Sequence, residues 1–475
     1  MKKFWENGIL LRLLIPCFLI LAFNIAPRPH EEDRSLRLVQ RALSVEAYRM
    51  ASIQLARALQ YIPWRSDLWE RAGQYALQGG EPQAAIQNFQ QAKKVLGLTP
   101  EGYLGLGDAY QASGDLTSAV RTWQALQPSV EVYSRLSQAH AALGDYPSQV
   151  KDLKGLIALQ PKEAKYVYQL GLLQSALQPE SAQPYLEQAA QLDGQYAKTA
   201  DGIVQAIQSA RESGEPAYLN LIAGRTLASL EEWKLASVAF RQATQVRPDY
   251  AEAWAFLGEA LQHLTEAGKD KAAGLAELQK AHQIDPGSLV ANTFLALYWQ
   301  RQGNYEQALS YLRSAAASDR TNPTLQTEMG NILAEMGDLP AALACYQKAT
   351  ELVPDNPVFW RILAEFSLAN QIQIREIALP AARQAVLLSP DDPVALDLLG
   401  ESFLMLEDYT SAGRFIQRAL ASNPDYVPAH LHLGIFFILQ GKLEEGRQEL
   451  LKVKELDPNG PYTGQAQRVL ERTFQ

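Results

Sequence analysis

The chain has 475 residues, 47% hydrophobic and 20% charged, which suits a folded protein and not a disordered one, and its length calls for several domains or one long array. A formal net charge of −9, with no Lys/Arg-rich run, argues against a binder of nucleic-acid backbones, so no nucleic-acid partner is expected. Two cysteines, Cys17 and Cys345, cannot build a disulfide framework or a metal cluster.

Residues 1–30 read as a targeting or membrane segment. Lys2 and Lys3 precede Ile9–Ala26, which is apolar except for Arg12, Pro16 and Asn24. Leu13–Phe23 alone is too short to cross ~30 Å of hydrocarbon; adding Ile9–Leu11 brings it to about 18 residues, near the lower limit, with Arg12 snorkelling to the headgroups. A cleavage site would place Asn24 and Ala26 at its −3 and −1 positions ahead of Pro27, which is poor. An uncleaved single-pass signal anchor at residues 9–26 is therefore expected, with a cleaved signal peptide and secretion as the alternative. Lys2, Lys3 and Arg12 stand against Arg28, Arg34 and Arg37, nearly a tie. The short basic N-terminus places the rest of the chain outside the cytoplasm, on a cell membrane.

From Glu32 onward one period of 34 residues organises the sequence. Ala51, Ala85 and Ala119 are spaced by it, as are Gly73 and Gly107, Gly224 and Gly258, and Gly400 and Gly434. Prolines close units at Pro63, Pro161, Pro248, Pro286, Pro354, Pro390, Pro424 and Pro458. Within Pro323–Asn356, Leu325, Met329, Ile332 and Leu333 form one helical stripe. Gly337 ends that helix, Asp338 caps the next, and Leu339, Ala342, Leu343, Tyr346 and Ala349 form the second stripe before Pro354 stops it. The same turn recurs at Gly114–Asp115, Gly144–Asp145 and Gly303–Asn304. Gly330 and Ala342 fall where the paired helices would cross.

Gly224, Leu227, Ala236, Phe240, Ala243 and Pro248, then Trp254, Leu257, Gly258 and Leu261, resemble the tetratricopeptide repeat signature, as do Trp69, Gly73, Ala85, Phe89 and Ala92. The resemblance covers most of residues 32–458, about eleven units. It implies an all-α, right-handed superhelical solenoid of helix–turn–helix repeats behind an N-terminal apolar helix, with first helices inward and second helices outward. The expected organisation is an anchor at 1–30, a first sub-array at 31–194, an irregular junction helix at 195–216, a second sub-array at 217–460 and a capping helix at 461–475. The unit opening at Ala251 carries about four extra residues around Glu266–Asp270, and that opening at Pro357 about two near Ile372–Glu376.

Such an array implies a non-catalytic scaffold that binds peptide or helical segments of other proteins. Candidate inward charges are Glu70, Asp108, Glu259, Glu365, Asp397 and Glu401, opposed by Arg225 and Arg361, so a basic or apolar partner segment is expected. Phe256, Phe294, Ile362 and Leu398 are candidates for an apolar groove lining. Asn331 would be the amide of a carboxylate clamp, but Thr327 stands where that clamp needs Lys, so binding of acidic tails is not expected.

His430 and His432 are two apart on a helix and point to different faces, which is not metal-ligand spacing. No G-x-x-x-x-G-K-[ST] loop or G-x-S-x-G elbow occurs, and no enzymatic activity, metal or cofactor is expected. Two other roles fit the same array: an accessory subunit of a glycan-assembly or glycosyltransferase system, and a self-associating spacer.

Overall fold

The computed structural model describes residues 31–265 and 272–474. The apolar segment expected at 9–26 and the extra residues expected around Glu266–Asp270 lie outside them. Among the described residues all regular structure is helical, and no helix is long and apolar enough to cross a membrane. The chain forms two compact units that divide between Glu212 and Ser213.

In the first unit five helical hairpins follow one another: α1 (Glu31–Leu43) with α2 (Tyr48–Ala58), α3 (Ser66–Gln78) with α4 (Pro82–Val95), α5 (Pro100–Ala112) with α6 (Leu116–Trp123), α7 (Val130–Leu143) with α8 (Tyr146–Leu159), and α9 (Ala164–Leu177) with α10 (Gln183–Leu192). The loose pattern near Ala164–Gly194 folds as α9 and a shortened α10, bracketed by 3-10 turns at Pro179–Ser181 and Gly194–Tyr196. Helix α11 (Ala197–Arg211) packs on α10.

The described residues of the second unit form seven hairpins and a last helix. These are α12 (Pro216–Ser229) with α13 (Trp233–Val246), α14 (Ala251–Leu264) with α15 (Leu275–Ile284), α16 (Leu289–Arg301) with α17 (Tyr305–Ser318), and α18 (Pro323–Glu335) with α19 (Leu339–Leu352). They continue as α20 (Pro357–Ala369) with α21 (Leu379–Leu388), α22 (Pro393–Met405) with α23 (Tyr409–Ser422), and α24 (Val427–Leu439) with α25 (Leu443–Leu456), and α26 (Pro461–Thr473) covers α25.

Inside a hairpin the turn is set by two adjacent residues. Gly114, Gly144, Gly303 and Gly337 take positive φ, 86° at Gly114 and 82° at Gly337, where a Cβ would collide with the backbone. The next residue caps the second helix: the carboxylates of Asp115, Asp145 and Asp338 and the amide oxygen of Asn304 accept from the backbone N–H three residues on, at 3.0–3.2 Å. Glu231 and Glu407 occupy the same left-handed position, both at φ 61°, without glycine's freedom. The extra residues near Ile372 are absorbed by Gln371 and Gln373, both at positive φ, and by a π turn at Ile374–Ala378 that runs into α21.

Close packing follows from small residues at the helix crossings. A Cβ on Gly330 would lie 2.8 Å from the Tyr346 ring, and one on Gly107 would lie 2.1 Å from Nε1 of the fully buried Trp123. Ala342, opposite Gly330 in the same hairpin, is wholly buried.

A second recurring contact joins one hairpin to the next. The indole N–H groups of Trp69, Trp254 and Trp360 donate to the carbonyls of Pro63, Pro248 and Pro354, six residues earlier, at 3.1, 2.9 and 2.7 Å. Asn292 and His430 stand at the equivalent position and make the same bond to Pro286 and Pro424, at 2.9 and 2.8 Å. The carbonyl can only accept, so His430 carries a proton on Nε2. Its Nδ1 pairs with Glu449 on α25 at 2.5 Å.

Candidate ligand-facing surface

Successive first helices touch one another as well as their own hairpin partners, as along α20, α22, α24 and α26. One side-chain position governs that contact. The residue after the crossing glycine of one first helix reaches the residue two places after the position, Tyr133, Trp254 or His430, that corresponds to Trp69 in the next. Asp108 meets Arg135 at 2.6 Å, Arg225 lies 5.2 Å from the Phe256 ring, and Glu401 meets His432 at 3.6 Å. Neighbouring helix axes are ~9 Å apart, a gap that these side chains span.

This stagger decides which of the expected site residues face solvent. Glu259 is buried; its carboxylate is held by Arg301 at 2.6 Å and by His263 at 3.2 Å. Asp397 is 1% exposed and contacts His432 at 3.0 Å. Glu70 is also buried and accepts from the backbone N–H and the hydroxyl of Thr99, at 2.8 and 2.6 Å. These three carboxylates, read from the sequence as open charge, are drawn inside because the following hairpin supplies a donor within reach.

Arg361 is part-exposed and donates to Asp392 at 2.7 Å; Asp392 in turn caps α22 through the N–H of Val394 at 3.0 Å. Asn331 accepts from the Tyr346 hydroxyl at 2.8 Å. Phe256 and Phe294 are half-buried, edge to face with centroids 5.1 Å apart, and Phe256 also stacks on Phe240 at 5.4 Å. Phe256 thus packs against both α13 and the next first helix, and both rings stay partly open to solvent. Arg225 is exposed and lies 3.6 Å from Glu252. Glu365 is exposed and Glu401 half-buried.

The structure thus brings Glu365, Asp397 and Glu401 toward one another on α20 and α22, and sets His432 of α24 against Asp397 and Glu401. His432 is the member that sequence reading missed. It lies 35 residues from Asp397 and 31 from Glu401, so no single-helix pattern shows the pairing. Burial alone would lower the His432 pKa, but the charges of Asp397 and Glu401 outweigh it and raise it to about 9. Glu401 is pushed up by burial and by the nearby charges of Asp397 and Glu365, against the opposing pull of His432. The hydroxyls of Tyr426 and Tyr462 are also pushed up, first by burial and then by these carboxylates. Four groups on successive helices therefore sense the same negative field. Chemically the arrangement attracts cationic groups. Among the described residues no group of His, Cys, Asp and Glu is placed to hold a metal ion.

Comparison with known proteins agrees with the hairpin geometry. Two tetratricopeptide repeat family profiles match, one at residues 300–366 and 403–470, the other at 70–129 and 375–427. The chain is 21% identical over 234 residues to tetratricopeptide repeat protein 37 of Xenopus laevis, covering 49% of this chain and 15% of that protein. It is 23% identical over 183 residues to the BBSome complex member BBS4 of Bos taurus, covering 38% of this chain and 35% of that protein. It therefore spans only a minor part of either relative. Among solved structures, MamA (41-end) from Desulfovibrio magneticus RS-1 aligns with a TM-score of 0.32 and 25% identity, over 36% of this chain and 97% of that one. The hairpins of the matched segments fit tetratricopeptide repeat models, and the other described hairpins repeat the same helix–turn–helix arrangement.

Proposed function

We propose that this chain is a non-catalytic scaffold, tethered to a cell membrane through residues 9–26 with its repeats outside the cytoplasm, that binds a basic or apolar segment of a partner protein. Tetratricopeptide repeat proteins act typically as protein-interaction scaffolds, and both compact units are built from such hairpins. The observation that carries the choice of partner is the excess of acid on α20 and α22. Asp397 and Glu401 share one imidazole, Glu365 stands exposed near Glu401, and Arg361 is already committed to Asp392. A cationic peptide side chain beside Glu365 would gain charge-assisted hydrogen bonds on a partly desolvated face. The half-buried rings of Phe256 and Phe294, further back in the same unit, offer apolar contact to a segment lying along the first helices.

The test is a binding titration of the full chain with a defined set of peptides: basic amphipathic, neutral apolar and acidic. The basic peptide should bind best, weaken with salt, and lose roughly tenfold in affinity on Glu365→Lys, about 1.4 kcal/mol. Glu365 is exposed, so its replacement leaves the fold intact. Equal binding of basic and acidic peptides, or indifference to Glu365→Lys, would remove the reading. Accessibility of a single cysteine introduced on an exposed loop, probed with a membrane-impermeant reagent on intact cells, tests the side of the membrane.

A further inference from the structure

The first hairpin carries a second surface, on balance basic. From Glu31 to Arg65 there are six arginines, Arg34, Arg37, Arg41, Arg49, Arg57 and Arg65, against four acids, Glu31, Glu32 and Asp33 at the start of α1 and Glu46 in the turn, in a chain whose net charge is −9. Their spacing hides them from a search for basic runs, but folding gathers them. Arg49 is committed to Glu81 and Arg65 to Asp67. Arg34, Arg37, Arg41 and Arg57 are exposed and have no carboxylate partner among the described residues. Arg34 from α1 and Arg57 from α2 meet in one cleft of about 410 Å³, with Leu38, Gln54 and Tyr61 on its walls.

Beside this cleft the hairpin exposes apolar and aromatic groups. On α2, Met50 and Ile53 share the face of Arg57, at spacings of three and four residues, and are 50% and 41% exposed. Val45 in the preceding turn is 73% exposed, and Tyr61 and Trp64 in the following loop are 40% and 57% exposed. Protruding aliphatic groups, amphipathic aromatic rings and unpaired arginines on one hairpin are the combination that suits a membrane–water interface. The hairpin begins at Glu31, five residues after the apolar run Ile9–Ala26 ends.

We infer that the α1–α2 hairpin lies on the surface of an anionic phospholipid bilayer, with Arg34 and Arg57 holding lipid phosphate in their cleft and Met50, Ile53 and Trp64 dipping into the interface. The inference rests on the tether reading only in needing a bilayer beside Glu31. Each unpaired arginine contributes about 1 kcal/mol near an anionic surface, roughly fivefold in partitioning, and that share vanishes at high salt. The consequence is orientation: a chain held both by its apolar segment and by its first hairpin cannot swing freely about the point of insertion.

The test uses the full chain with phosphatidylcholine vesicles and with vesicles in which part of that lipid is replaced by phosphatidylglycerol. Flotation on phosphatidylcholine alone reads the segment at 9–26. Amide hydrogen exchange over residues 31–65 on the two lipids reads the hairpin. Exchange in α2 and in the 59–65 loop should be several-fold slower on phosphatidylglycerol, and the difference should disappear at high salt and in Arg34→Gln/Arg57→Gln. Met50→Ser/Ile53→Ser should lose the protection while the salt-sensitive attraction persists. Protection on phosphatidylglycerol without flotation on phosphatidylcholine would remove the tether and keep the hairpin. Equal exchange on the two lipids, or protection indifferent to the arginine pair, would overturn the proposal. Unchanged circular dichroism of both variants confirms that they are folded.

Discussion

The first unit and the end of the second use the same contact between successive first helices to opposite effect. In the first unit the acids are answered: Glu70 by two donors of Thr99, and Asp108 by the two-pronged guanidinium of Arg135 at 2.6 and 3.0 Å. Across α22 and α24, two carboxylates meet one histidine, and a third, Glu365 on α20, stands exposed near them. The backbone is alike in both places; the difference lies in which residue stands two places after the position that corresponds to Trp69. Arg there closes a ladder between hairpins, while His there leaves negative charge over for a ligand. One position per repeat therefore decides whether a stretch of the array serves cohesion or recognition.

The sharpest way to break the first unit is to enlarge a crossing. Gly107→Leu would drive a side chain into Trp123, which is wholly buried and cannot retreat, and should cost about 3 kcal/mol or more. Hydrogen exchange in α5 and α6 should accelerate accordingly. If exchange there is unchanged, the crossing is looser than 2.1 Å implies.

The next effect is pH-dependent and belongs to the second unit. The folded-state pKa of His432 is raised from 6.5 to about 9, so its stabilising share is full below the unfolded value near 6.5 and is lost as pH climbs through about 9. The interval corresponds to roughly 3 kcal/mol as a ceiling. Denaturant unfolding followed from pH 6 to 10 should show this decline in the second unit, and His432→Gln should flatten it. A flat profile for the unaltered chain would mean that Asp397 and Glu401 do not hold the imidazole charged.

Arg135→Gln tests the closed ladder directly. It should cost about 1–2 kcal/mol in the first unit, because the pair is charge-assisted but partly open to water. The same change should leave a new acidic site at Asp108, readable as weak, salt-sensitive uptake of the basic peptide used above. The smallest effect runs the other way. Glu407→Gly removes a side chain from a left-handed turn and should stabilise the α22–α23 hairpin by about 0.5–1 kcal/mol in thermal unfolding.

Much of the local structure was legible because its causes are local. Gly337 at positive φ and Asp338 accepting from the N–H of Ala341 follow from two adjacent letters, and the small residues Gly330 and Ala342 at the crossing follow from one hairpin's pattern, while the Tyr346 ring that fills the space against Gly330 does not. The candidate surface was legible only in part. Glu365 is exposed, whereas Glu259, Asp397 and Glu70 were read one helix at a time, and their partners Arg301, His432 and Thr99 come from the next repeat. The stagger between repeats is a property of packing geometry, which a single helical wheel does not contain. The basic first hairpin escaped for the converse reason: its arginines are never adjacent, and only the α1–α2 pairing brings Arg34 to Arg57.

The bond from Trp69, Trp254, Trp360, Asn292 or His430 to a proline carbonyl spans only six residues, yet it fixes the bend between one hairpin and the next. A stack hinged in this way should respond to tension elastically, each joint opening by itself while the cores on either side stay shut. Since His430 also pairs with Glu449 on α25, the joint before α24 is braced from two sides, whereas an indole has a single N–H to give and leaves the tryptophan joints with one such bond each.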